Sequence, residues 1–264
     1  MPSNMLINNR TASTLLVGGV YAEGAYYGSS EVFIASEDDS IPASLFANGE
    51  QGDDFWFWRD FCFTLSSGGV YEPVTTTGDQ IARITGTVKG INADQNVAED
   101  RPVYGESGSI GWAQFDGVDD QLRFPDGLVG EGTWSFAMAY QPDGNDFLML
   151  HRGSSNPWIG IGQKDSTSTS ISGSGASKNA FYVNNVADTS GTRGGQYSAA
   201  QGGSRLLVDF NTSTTWSPNA KIGSYSGGSF TTPGDVYAML LIDRSLTEDE
   251  RGLVDNYLAG RVSA

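Results

Sequence analysis

At residues 133–140 the large side chains fall on every second position: Trp134, Phe136, Met138 and Tyr140. A period of two marks a strand with one face on a core, since a helix would scatter these four around its axis. Short runs of the same kind recur at residues 112–115, 122–124, 147–150, 158–162, 181–183, 206–210 and 235–242. Turn signals separate them, such as Asp116-Gly117 and Asn184-Asn185, whose residues tolerate positive φ. With 35 glycines in 264 residues, the spacing predicts an all-β, antiparallel sandwich.

Two stretches add detail. Phe55-Trp56-Phe57-Trp58 puts rings on both sides of one segment, as in a strand buried on both faces, and residues 80–84 alternate well enough for another. One helix is predicted, at the C-terminal end. Thr247 and Glu250 make a capping box, Glu248 and Asp249 suit the positive helix start, Leu253, Val254, Tyr257 and Leu258 form an apolar face, and Gly260 closes it.

The chain divides into a leading segment, 1–45, and a body, 46–264. The leading segment has apolar stretches at 14–20 and 31–35, split by Ala25-Tyr26-Tyr27-Gly28 and closed by Glu37-Asp38-Asp39. It reads as a hairpin or extended arm that either adds strands to the sandwich or docks on a neighbouring subunit.

A net charge of −16 and a pI near 4.2 argue against nucleic acid and anionic membranes as partners, since both repel such a surface. The start lacks a basic-then-apolar signal pattern, and residues 14–20 are too short for a membrane span. Synthesis in a cytoplasm, without membrane insertion, is the expectation. Cys62 has no second cysteine to pair with, and between Phe61 and Phe63 it reads as a buried, inert thiol.

Several stretches resemble a known family. Phe115-Asp116-Gly117-Val118-Asp119-Asp120-Gln121-Leu122 resembles the strand–turn–strand of laminin-G-like domains. Residues 234–243, followed by Arg244 to Glu250 and the terminal helix, resemble the closing element of the same domains. Ala47-Asn48-Gly49-Glu50-Gln51-Gly52 and Arg101-Pro102-Val103-Tyr104 resemble lead-in segments of tailed-phage and prophage structural proteins carrying this domain. The resemblance covers roughly residues 46–264. It departs at Phe57-Trp58-Arg59-Asp60, where relatives tend to have a tryptophan followed by an aspartate-proline turn, and residues 1–45 have no counterpart. It implies a jelly-roll β-sandwich of the concanavalin A/laminin-G type with one C-terminal amphipathic helix.

The chemistry of enzymes sharing that fold is not legible. Their glucanases set Glu, Asp and Glu at alternate positions of one strand for retaining hydrolysis, and no such spacing occurs here; Glu248-Asp249-Glu250 is explained by the helix cap. His151 is the sole histidine, which precludes a multi-histidine metal site, and a surface or hydrogen-bonded role is expected for it. No catalytic residue is assigned. For a cofactor only calcium is weighed, at Asp116, Asp119 and Asp120, with the alternative favoured over it that Asp116 and Asp119 satisfy turn donors and Asp120 opens the strand. Sugar binding would need exposed rings, for which Trp216, Trp158, Tyr197 and Tyr225 are the candidates. Trp216 leads because Ser213-Thr214-Thr215 and Ser217-Pro218 surround it with loop residues.

The resemblance therefore implies a non-enzymatic virion protein: a tail-fibre, spike or decoration subunit displaying a lectin-like domain for host-surface polysaccharide. Attachment to other virion proteins through residues 1–45 and a homo-oligomeric or multicopy assembly go with that reading. The alternatives are a cell-encoded carbohydrate-binding or adhesion module and, behind it, a glycoside hydrolase or lyase of the same fold.

Overall fold

The computed structural model describes residues 5–7, 10–12, 25–27, 30–33, 43–144, 146–152, 155–169, 172–201, 205–216, 220–223 and 232–262. They divide between two units, Met1–Gly49 and Glu50–Ala264. In the first, β1 (Met5–Ile7), β2 (Arg10–Ala12), β3 (Ala25–Tyr27) and β4 (Ser30–Phe33) form an antiparallel sheet in chain order. Ala25-Tyr26-Tyr27, read from sequence as a divider, is thus itself a strand. The apolar stretch at 14–20 and the acidic turn at 37–39 lie outside the described residues.

The second unit is a sandwich of two eight-stranded sheets. Its first half runs through β5 (Gly52–Trp56), β6 (Cys62–Leu65), β7 (Tyr71–Pro73), β8 (Arg83–Thr85), β9 (Asn92–Asp94), β10 (Val103–Ser107), β11 (Ile110–Phe115) and β12 (Gln121–Arg123). There follow β13 (Gly132–Pro142), β14 (Asp146–Arg152), β15 (Ser155–Gln163), β16 (Ala176–Val183) and β17 (Val186–Ala187). Helix α1 (Arg193–Gln201), β18 (Arg205–Thr212), β19 (Ala220–Gly223), β20 (Gly234–Ile242) and helix α2 (Glu248–Ala259) complete it.

The first sheet has the order β10-β11-β20-β13-β18-β16-β17, with β5 also pairing along β20. The second has the order β15-β14-β19-β12-β9-β8-β6-β7. All pairings are antiparallel among the described residues. The fully buried Phe55, Phe124, Phe136, Phe181 and Phe210 lie in one apolar cluster with Leu122, Leu150 and Ile222, which joins the inner faces of both sheets. Where β5 meets β20, a side chain at Gly52 (φ 107°) would strike the Leu241 carbonyl, so only glycine lets the strands close up.

Three expectations need correction. Strand β13 was predicted to be half-buried, yet Ser135, Ala137 and Ala139, on the side away from the core, are buried too. Helix α2 covers that side. Its capping box is present, with Glu250 N–H donating to Thr247 Oγ1 (3.3 Å) and Thr247 N–H to Glu250 Oε2 (2.8 Å). Val254, Tyr257 and Leu258 turn inward, but Leu253 is 47% exposed and leaves the predicted apolar face. Nor is the C-terminal helix the only one: α1 interrupts the strands at Arg193–Gln201. Its Arg-Gly-Gly start and lack of a clear apolar stripe hid it, since two glycines oppose helix propensity.

Other local readings agree with the structure. Asn184 and Asn185 have φ of 48° and 60° in the turn joining β16 to β17. Cys62 is buried, and burial pushes its thiol well above the ordinary range. His151 departs from the surface role: it is fully buried.

Candidate functional site

The predicted sugar-stacking rings do not come together on an open surface. Trp216 is 0% exposed and belongs to the core cluster. Its Nε1–H donates to Thr212 Oγ1 (3.0 Å), its backbone N–H donates to the Val129 carbonyl (2.8 Å), and the Phe210 ring lies 6.0 Å away. The loop chemistry around it was real, since residues 213–215 are exposed, but the ring itself plugs the sandwich. Its indole N–H is satisfied in place, which removes the cost of burying it. Trp216 is therefore a core residue and not a stacking platform.

Trp158 is 9% exposed, with the Arg193 guanidinium at the start of α1 lying 5.0 Å over its ring. Tyr197, on α1, is half-buried and donates its hydroxyl to the Gly144 carbonyl (2.8 Å). Trp158 is thus largely covered, and the Tyr197 hydroxyl is already engaged. Tyr225 lies outside the described residues.

The acidic turn between β11 and β12 brings Asp116, Asp119 and Asp120 together, with a carboxylate oxygen of each within 4.8 Å of the others. Asp116 Oδ1 accepts from Val118 N–H (2.7 Å) and Asp119 N–H (3.3 Å), and Asp120 Oδ2 accepts from Asp116 N–H (2.8 Å). Burial, and after it the Asp116 and Asp119 carboxylates, push the Asp120 carboxyl up to about 7. All three groups come from one turn, and two of them, Asp116 and Asp120 instead of the expected Asp116 and Asp119, already serve its backbone donors. A calcium ion takes about six to eight oxygens, usually gathered from several segments. The turn's own hydrogen bonds account for the arrangement.

A different place gathers polar groups around open space. The outer face of the second sheet carries a cleft of about 410 Å³ lined by Asn92, Asp94, Asn96, Arg123, Phe124 and Pro125. Register explains it. Along β9 and β12, Ala93 and Leu122 point into the core, so Asn92, Asp94, Gln121 and Arg123 project outward. Arg83, paired with Asp94 in register, holds its carboxylate through Nε (2.6 Å) and Nη2 (3.0 Å) and stacks 3.8 Å over the Tyr71 ring. Asn92 Oδ1 accepts from Thr85 Oγ1–H (2.7 Å) and Asn96 Oδ1 from the Tyr71 hydroxyl (3.3 Å), which turns both amide NH2 groups away from those partners. The result is a rigid, donor-rich floor suited to ligand oxygens. Sequence reasoning placed residues 122–124 on a strand but assigned no site to them or to Asn92, Asp94 and Asn96, because the pairing that makes them neighbours is non-local. The alternation Asn-Ala-Asp and Gln-Leu-Arg was the available signal.

No family model matches the chain, and no curated protein matches it. Among solved structures, a sialidase of Trypanosoma rangeli in complex with the inhibitor DANA is similar at 11% identity and a TM-score of 0.35. The similarity spans 76% of this chain and 36% of the sialidase chain, and at that level it carries no argument about fold or activity.

Proposed function

We propose that this chain is a non-enzymatic structural protein of a tailed-phage virion, a fibre, spike or decoration subunit that presents a jelly-roll, lectin-like head to host-surface glycans. The observation that carries the adhesion reading is the cleft on the outer face of the second sheet, where Asn92 on β9, Arg123 on β12 and Asn96 just beyond β9 surround open volume. Donors held on strands bind hydroxyls and carboxylates with little ordering cost. The resemblance supports the rest. The stretch from Phe115 to Leu122 is the crossing from the first sheet to the second, and β20 with the capped α2 closes the chain. The leading unit, with its own four-stranded sheet, suits an attachment segment.

The test is made on particles. Peptides of this chain are expected in purified virions, and cross-links from its leading unit to another virion protein should accompany them. Residues 1–49 contain no lysine, so a carboxylate-reactive reagent is needed, with Glu23, Glu31, Glu37, Asp38 and Asp39 as its targets. Recovery from a cell envelope and never from particles would instead favour the cell-encoded adhesion module. Release of new reducing ends from a polysaccharide would mark an enzyme.

A further inference from the structure

The cleft is part of a longer feature. Register places Trp158, His151, Lys221, Arg123, Asp94, Arg83, Phe63 and Pro73 opposite one another in a single row across all eight strands of the second sheet. Residues paired across strands share a face. The core-facing neighbours Ile159, Leu150, Ile222, Leu122, Ala93, Ile84 and Cys62 confirm that this row points outward from the sandwich. Its β15 end lies under α1, where Trp158 and His151 are buried; from Lys221 onward it is open to solvent.

The open part of the row carries Lys221, Arg123 and Arg83 against one carboxylate, Asp94, which Arg83 already engages. The chain holds 31 acidic residues and 15 basic ones, so a face drawn at random would carry about two acids for each cation. Here the ratio is inverted. Lys221 and Arg123 are direct cross-strand neighbours, both half-buried, and like charges so placed repel. Among the described residues neither has a hydrogen-bond or ion-pair partner, and the Nε of Arg123 is buried without an acceptor. Asp100, which borders the face and accepts from Gln121 Nε2, acts on Lys221 only at longer range. Burial first, and then Arg123, hold the Lys221 ammonium below its ordinary value. A pair of uncompensated cations beside two unspent amide NH2 groups costs stability unless something anionic visits it.

We infer that this row is a binding site for an acidic polysaccharide, with sugar carboxylates received by Arg123 and Lys221 and neighbouring hydroxyls by Asn92 and Asn96. Lys221 and Arg123 stand on adjacent strands, about 4.8 Å apart, so the two cations can receive neighbouring carboxylates of one extended polymer. Arginine supplies a fork for a carboxylate and lysine a point charge beside it. The strongly negative remainder of the surface repels polyanions elsewhere and so confines binding to this row. The inference rests on the adhesion reading and names its ligand class.

Binding of the full chain to immobilised polygalacturonate and to neutral dextran is the test, at low and at physiological salt. Polygalacturonate should bind more tightly than dextran, and the difference should shrink as salt screens it. R123Q with K221Q should weaken polygalacturonate binding about tenfold or more while leaving the thermal transition in place. Should the double variant fail to fold, K221Q alone carries the comparison. Unchanged polygalacturonate binding in a folded variant, or equal binding of both polymers, overturns the inference. If only neutral glycans bind, the adhesion reading stands and this inference falls. Binding of neither polymer, together with no adhesion of the chain to host cells, removes both.

Discussion

The two sheets of the sandwich share a core, but their outer faces have opposite fates. On the first sheet, Ala137, Ala139 and Ala238 keep the outer surface low, and α2 lies across it. Several polar groups beneath the helix are consumed internally. Tyr257 and Thr87 hydroxyls donate to Asp54 Oδ2 (2.8 Å each), Ser135 Oγ–H is shared between Asp209 and the Arg244 carbonyl, and Arg205 pairs with Asp255 on the helix (2.8 Å). On the second sheet the same outward positions carry Lys221, Arg123, Asn92 and Asp94, and only the β15 end is roofed. Small residues at alternate positions invite a helix; long charged ones leave a face to a ligand. One face is structure and the other is available for recognition.

The interior common to both faces should give the largest effect. Trp216→Ala would open a ring-sized void, so a loss of about 3–5 kcal/mol is expected by denaturant titration. A loss below 1 kcal/mol would mean that Trp216 is not a core element and would reopen the loop-ring reading.

Next comes the sealed face itself. Leu258→Ala removes a buried contact between α2 and the first sheet and should cost about 2–5 kcal/mol. On the open face, Asn92→Ala loses only the bond from Thr85 and should cost about 0.5–1 kcal/mol. Similar losses at the two positions, measured by the same titration, would erase the contrast.

How far this division could be read beforehand differs between the faces. The sealed face was partly legible: Thr247, Glu250, Val254, Tyr257 and Leu258 declare a capped amphipathic helix by local spacing alone, while its seat on the first sheet does not show in the sequence. The alternation at β13 was legible too, though the small residues Ser135, Ala137 and Ala139 read as solvent-facing when they underlie a helix. Little of the open face could be foreseen. Its row draws on strands separated by long stretches of chain, from Pro73 to Lys221, and only pairing register makes neighbours of them. Trp216 misled for the opposite reason: its neighbours in sequence are loop residues, and its neighbours in space are Phe210 and the core.

Acidity should separate the faces in a third way. Burial pushes the Asp54 carboxyl, under α2, up to about 7, and its Oδ1 has no hydrogen-bond partner. The folded state therefore holds a proton that the unfolded chain, at 3.8, gives up, so stability should fall as pH rises from about 4 to 7. Asp120, up to about 7, and Asp235, up to about 6, both chiefly by burial, act with the same sign. Glu250 acts oppositely. Arg244 and the helix cap hold it at about 2, below its ordinary 4.5, so its contribution is lost as pH falls from 4.5 through 2. Maximum stability is expected near pH 4–5. Asp54→Asn keeps acceptors for Tyr257 and Thr87 without the charge, and should raise stability at pH 8 by on the order of 1–3 kcal/mol while flattening the slope. A melting temperature that rises steadily from pH 5 to 8 would contradict the assignment.

The smallest effect is the most informative about recognition. Lys221 is half-buried beside Arg123, and the two repel each other without an ion-pair partner for either among the described residues. Removing one charge takes away repulsion and a desolvation cost, while the inner half of the aliphatic stem that covers the sheet is kept in glutamine. Lys221→Gln should therefore leave stability unchanged or raise it by a few tenths of a kcal/mol. A structural lysine behaves otherwise, since truncating one partner of a buried pair strands the other and destabilises. Thermal melts at low salt, where repulsion is least screened, give the sharpest reading. A gain that shrinks with added salt would show that the fold tolerates this charge pair without needing it. A clear loss would tie Lys221 to a partner inside the protein, and the outer face of the second sheet would then be as self-contained as the first.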